Sequence, residues 1–219
     1  MAQPRWTEAL VAVVMMATTF YSEVVVCKEM ESPQFTVLHS ESDFEVEVLE
    51  YHNRSTALTN DTLKKGSSPI LFQYIEGANL NFSRISMTVP VLTSIVPGAG
   101  PLHSSAYFVK LYLPEEFQAE PPSPLPELNL RPDSWTSHCI AVWKFSGFAR
   151  DRNIVKEAEK LALSLSRSPW ANSTSASEYA YSIAQYNSPF KIIGRVNEVW
   201  VDVSGSEANG CKPGLVAAY

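Results

Sequence analysis

Residues 84–91 read RISMTVPV, with Ile85, Met87, Val89 and Val91 alternating against Arg84, Ser86, Thr88 and Pro90. A two-residue period of this kind is that of a half-buried strand, and it predicts a strand over residues 84–95. Two members resist that reading. Met is a weak β-former, and Pro gives up a ladder hydrogen bond, so a proline inside a strand marks an edge or a bend. The reading adopted places Met87 in phase with Ile85 and Val89 as a flexible filler of the core, and Pro90 at a bend.

Working outward, Ser67-Ser68-Pro69 offers an N-cap followed by proline at a helix start. Ile70, Leu71, Tyr74, Ile75 and Ala78 then fall on one helical face, and Gly77 is placed to stop the helix. Before it lie alternating strands at Phe44–Val48 and Ser55–Thr59; after RISMTVPV comes a strand at Ala106–Leu113. Residues 114–132 hold six of the fifteen prolines and read as a connection rather than as an element. The order then recurs: a strand at His138–Phe145, a helix at Asp151–Ser166 with Ile154, Val155, Ala158, Leu161, Ala162 and Leu165 on one face, and strands at Glu178–Tyr186 and Val196–Val203. Pro189 in Asn187-Ser188-Pro189 is paired with Pro90 as a second bend.

Each half is thus strand, helix, strand, strand. Two units of about 80 residues, each with one helix to cover, are most simply fused into one core. The expected fold class is α+β: a pseudo-symmetric, distorted antiparallel β-barrel built from two β-α-β-β repeats and flanked by two helices.

The net charge of −6, without a dense basic run, argues against nucleic-acid binding. Arg5 precedes the apolar run from Ala9 to Ala17, and small Cys27 follows Val25 by two positions, a pattern that predicts a signal peptide over residues 1–27. Read instead as an uncleaved anchor, the same stretch is interrupted by Glu8 and Glu23. With residues 1–27 removed, residues 28–205 form the domain, 206–219 a tail, and no integral span remains. Sequons at Asn53, Asn60, Asn81 and Asn172 accord with a secretory route to the extracellular space or to a vacuolar or endomembrane lumen. Cys139 and Cys211 are then the remaining cysteines and suit one disulfide, with two free thiols as the alternative.

FQYIEG (residues 72–77), Asn79, ISMTVPV (85–91), YNSPFK (186–191) and NEVW (197–200), together with ESPQF (31–35) and the Phe44-Glu45-Val46 strand, resemble the SOUL haem-binding protein family. The resemblance spans residues 31–203. It implies the pseudo-symmetric barrel with two helices, and a non-enzymatic protein that binds haem or another tetrapyrrole in a shallow apolar cleft as a carrier or buffer; a monomer is expected.

The family's cleft lies along the first helix and a late loop. Carried to this chain, it points to Lys65, Phe72 and Gln73, and to Lys191, with Arg195 as a further cation for a propionate. Gln73 stands where some members have Lys. The family's occasional strand histidine falls at Val48-Leu49 and is absent here; His52 is the weak substitute for an iron ligand, and His39, His103 and His138 lack a metal-site spacing. Two other classes stay open. A secreted interaction protein on the same fold would have lost its ligand, and a small-molecule hydrolase would need a carboxyl such as Glu76 in an apolar pocket, since no nucleophile-elbow pattern is present.

Overall fold

The alternation of residues 84–91 becomes a paired strand only at Val91. Residues 84–90 run in as a segment whose hydrogen bonds go to separate places: Ile85 N donates to Ile75 O at 2.8 Å and Val89 N to Glu31 O at 2.9 Å, while the Thr88 hydroxyl donates to Tyr112 O. With no single ladder to impose a pleat, the period breaks. Ile85 and Thr88 are buried, and Met87 is 41% exposed; the methionine expected as core filler faces solvent. The Val89–Pro90 peptide is cis.

The structure is a computed structural model that describes residues 30–42, 45–50, 55–62, 68–96, 106–135, 138–172 and 180–203. Among these residues nine strands appear: β1 (Gln34–Ser40), β2 (Glu45–Glu50), β3 (Ser55–Thr62), β4 (Val91–Val96), β5 (Ala106–Tyr112), β6 (Leu130–Trp135), β7 (His138–Ser146), β8 (Tyr181–Gln185) and β9 (Val196–Val203). The α-helices among the described residues are α1 (Ser68–Ile75), the short α2 (Glu115–Gln118) and α3 (Asp151–Ser166). All strand pairs are antiparallel, in the order β1-β2-β7-β9-β8-β4-β5-β3-β6.

That order contains the two halves. β3-α1-β4-β5 and β7-α3-β8-β9 each give a three-stranded piece, and the pieces meet along β4 and β8, where Thr93 pairs with Ile183. Across this seam the hydroxyls of Ser94 and Ser182 lie 2.8 Å apart. The strand ahead of each unit pairs with the other unit: β2 lies beside β7, and β6 beside β3. The halves are therefore interlocked, as a single fused core requires. Pro90 and Pro189 are not counterparts, however. Pro90 leads into β4, whereas Pro189 lies between β8 and β9, so only the former has a place before the second strand of a unit.

Residues paired across an antiparallel ladder share a face. Val91–Leu111, Thr93–Ile183 and Ile183–Val199 pairs place both helices on the same face. There Leu71, Tyr74 and Ile75 of α1 pack on Val109 and Leu111, and Leu161 and Leu165 of α3 pack with Trp170 on Ala141, Ile183 and Val199. The opposite face carries Leu92, Ile140, Val142, Ala184 and Trp200, buried with no helix contributing to the cluster, so the sheet curls over them. The ladder nevertheless ends at β1 and β6, which are not paired with one another. The fold is α+β, and the sheet is open where a closed barrel was expected.

Both edge strands, β1 and β6, went unread in the sequence. β1 exposes most of its side chains, and β6 contains Pro132 in the stretch read as a connection; a proline is tolerated there because β6 pairs only with β3. α3 matches its expected bounds. It starts where Asn153 Oδ1 accepts the Arg150 amide at 2.7 Å, a reach back from the third helical residue. Its buried stripe is narrower than expected: Val155 and Ala162 turn outward.

Candidate functional site

α1 presents two faces. Positions 71, 74 and 75 point inward, which at about 100° per residue turns 72 and 73 out. Phe72 is 57% exposed and Gln73 is exposed beside it. The inward face is fixed by packing and by Tyr74, whose hydroxyl donates to Pro122 O at 2.7 Å; burial pushes this phenol up to about 12. The helix ends where the sequence expected. Gly77 has φ of +112°, its N–H donates to Tyr74 O at 3.1 Å and that of Ala78 to Gln73 O at 2.9 Å, a Schellman stop. Buried Asn79 then ties off the turn: its amide donates to Tyr74 O at 3.2 Å and Ser83 O at 2.7 Å, and its Oδ1 accepts the Ser83 amide at 3.0 Å.

The segment leaving α1 enters β4 at the end of the sheet where β8 stops, because Val91 pairs with Gln185. The loop from β8 to β9 stands at that same end. Its tip is Phe190-Lys191-Ile192-Ile193, with Phe190 at 89% and Ile193 at 86% exposure. Gly194 turns it with φ of +65°. Lys191 is exposed, and its stem runs by Gly194, where an added Cβ would meet Lys191 Cε at 3.9 Å.

Arg195, expected as a cation for a propionate, is buried at 4% exposure and serves the loop instead. Its Nη1 donates to Ser188 O and Lys191 O, both at 2.7 Å, and its Nη2 to Asn187 O at 3.3 Å. Its guanidinium carbon lies 4.5 Å from the centre of the Phe148 ring. With both terminal nitrogens turned to the backbone and its Nε buried without a hydrogen-bond partner, it has no free face for a ligand.

Of the other expected positions, Lys65, His52, Asn53, His103 and Cys211 lie outside the described residues. Asn60 sits on β3, Asn81 and Asn172 are exposed, and Cys139 is buried on β7. Glu76, the example given for a carboxyl in an apolar pocket, is instead exposed and 3.5 Å from Arg84. His39 lies 2.9 Å from Glu41 and His138 3.6 Å from Asp202; among the described residues no group of three metal-ligating side chains forms. Two features were missed. One is the apolar tip of the β8–β9 loop, signalled by Phe-Lys-Ile-Ile ahead of a glycine. The other is a buried carboxylate, Glu198, which accepts the Tyr186 hydroxyl at 2.7 Å and the Trp200 indole N–H at 2.8 Å.

Residues 30–202 match the family described as SOUL heme-binding protein. Among characterised proteins the chain is 36% identical over 131 residues to heme-binding protein 2 of Homo sapiens, covering 60% of this chain and 62% of that one. It is 32% identical over 128 residues to heme-binding protein 2 of Mus musculus, covering 58% and 60%, and 28% identical over 141 residues to heme-binding protein 1 of Sus scrofa, covering 64% and 71%. The matched part thus spans about three fifths of the two heme-binding protein 2 chains. No helix among the described residues is long and apolar enough to cross a membrane. The family match takes in both interlocked units, α1 with its exposed Phe72 and the β8–β9 loop, and the chain belongs to the SOUL heme-binding protein family.

Proposed function

We propose that the protein binds haem or a related tetrapyrrole on the outer face of α1 and holds it without catalysis, as a carrier or buffer. The observation that carries this reading is Phe72, an aromatic side chain left 57% exposed on a helix whose Leu71, Tyr74 and Ile75 are buried. A porphyrin needs an apolar surface against its ring and donors or cations for its propionates. Phe72 offers the first; Lys191 offers the second, with Gln73 as a hydrogen-bond donor and Lys65 as a further cation. Arg195 contributes by setting the backbone that carries Lys191. Ring contact and propionate pairing supply the affinity, and iron ligation is secondary.

We further infer a secreted monomer that does not bind nucleic acid. The family match begins at residue 30, just past the expected end of the signal peptide. Asn81 and Asn172 are exposed, as glycan acceptors must be. Cys139 pairs in register with Val203, eight residues before Cys211, which leaves a short reach for a Cys139–Cys211 disulfide.

Titration of haemin into the secreted, glycosylated protein tests the central claim. Saturable Soret growth with quenching of Trp fluorescence at micromolar haemin is expected. A featureless titration would overturn it and leave the reading of an interaction protein that has lost its ligand.

A further inference from the structure

The propionates of a haem are charged, and the groups expected to meet them fall short of that charge. Gln73 is neutral, and Arg195 spends its terminal nitrogens on the loop backbone. Lys191 remains exposed, but it belongs to the loop. The outer face of α1 carries Phe72 for the ring and calls for a cation of its own.

Arg84 stands beside that face. Glu76 continues the last turn of α1, its N–H donating to Phe72 O at 3.0 Å, so it lies one turn beyond Phe72 on the same side. Helical side chains lean toward the N-terminus, which brings Glu76 over the turn that holds Phe72 and Gln73. Arg84 Nη2 lies 3.5 Å from Glu76 Oε2. The backbone around Arg84 is fixed on both sides: Ile85 N–H donates to Ile75 O at 2.8 Å, and Ser83 N–H donates to Asn79 Oδ1 at 3.0 Å. The same segment then runs into β4 at the end of the sheet where the β8–β9 loop stands. A guanidinium is thereby presented beside α1 from a backbone with little freedom left to lose on binding.

The contact with Glu76 does not account for this placement. At 3.5 Å it is longer than a charge-assisted hydrogen bond, and the Arg84 side chain is 83% exposed, so water screens the pair. A guanidinium so exposed has donors to spare, and its planar fork matches a second carboxylate in a two-point contact.

We propose, resting on the tetrapyrrole reading, that Arg84 is the propionate-binding cation of the α1 face. Phe72 meets the ring, while Arg84 from the α1 side and Lys191 from the loop meet carboxylates. The ligand class that follows is a tetrapyrrole with free carboxylates; a macrocycle whose carboxylates are esterified gains nothing from Arg84.

The test compares the unaltered secreted protein with Arg84→Gln and Arg84→Lys, each titrated with haemin and with haemin dimethyl ester, whose propionates are methylated and uncharged. Arg84→Gln is expected to weaken haemin roughly five- to tenfold and to leave the ester within about twofold, with Arg84→Lys recovering part of the loss. Unchanged haemin affinity in Arg84→Gln, shown to be folded by circular dichroism, overturns the proposal. An equal loss for haemin and ester also overturns it, because the effect would then not act through the propionate charge. Binding of neither ligand by the unaltered protein removes the tetrapyrrole reading and this role with it, whereas saturable haemin binding that Arg84→Gln leaves intact removes Arg84 alone.

Discussion

Nη1 of Arg195 lies 2.7 Å from the carbonyl oxygen of Lys191, so a buried cation holds the backbone of an exposed one. Replacing Arg195 with Leu removes three charge-assisted donors and orphans the carbonyls of Asn187, Ser188 and Lys191. A loss of about 2–4 kcal/mol in urea unfolding is expected, with Arg195→Lys intermediate because an ammonium cannot fork across the same carbonyls. Unchanged unfolding in Arg195→Leu would show that the loop holds itself.

Lys191 and Phe72 are separable tests of the ligand face. Lys191→Glu sets a carboxylate against a propionate and is expected to weaken haemin roughly tenfold, and Phe72→Ala to weaken it by a similar factor through lost ring contact. Both side chains are exposed, so the folded state should be unaffected by circular dichroism. Affinities equal to that of the unaltered protein would move the site away from α1 and this loop.

Tyr74 makes stability depend on alkaline pH. Its folded phenol lies at about 12 against an ordinary 10.0, raised by burial. A folded pKa above the unfolded one gives stability that is fully present below pH 10 and is lost as pH rises toward 12, amounting to about 2–3 kcal/mol. Tyr74→Phe should abolish this alkaline loss while costing about 1 kcal/mol at neutral pH for the orphaned Pro122 carbonyl. Chemical denaturation at pH 7 and pH 11.5 for the two proteins checks both signs.

Asn79 is the tie that ends α1. Asn79→Ala leaves the carbonyls of Tyr74 and Ser83 and the amide of Ser83 without this partner. Because the site is buried, a cost of about 2–4 kcal/mol is expected. The denaturation midpoint measures it, and a shift below the scatter of surface variants would show that Gly77 alone suffices to stop the helix.

Much of this architecture was legible locally. α3 from Asp151 to Ser166 and β9 from Val196 to Val203 coincide with their expected bounds, because helix and strand periods report directly which side chains share a face. The inward stripe of α1 also fixes, by rotation alone, that Phe72 and Gln73 face out. Where periodicity failed, competing partners were the cause. Met87 alternates correctly with Ile85 and Val89 in sequence, yet the amides of Ile85 and Val89 bond to α1 and to the N-terminal segment instead of to one neighbouring strand. β1 and β6 pair on one side only, so neither needs the strong alternation that makes a central strand visible.

By itself the sequence determined the two repeated units and the helix that carries Phe72, since each is written in short periods and nearby turn residues; membership of the family rests on the match over residues 30–202. The tertiary structure alone decided that the units interlock by exchanging their leading strands, that the ladder stays open at β1 and β6, and that Arg195 faces inward while Lys191 faces out. Two cations four residues apart in one loop look alike in sequence. Only the fold sets Phe148 and three carbonyls around one of them and leaves the other in water.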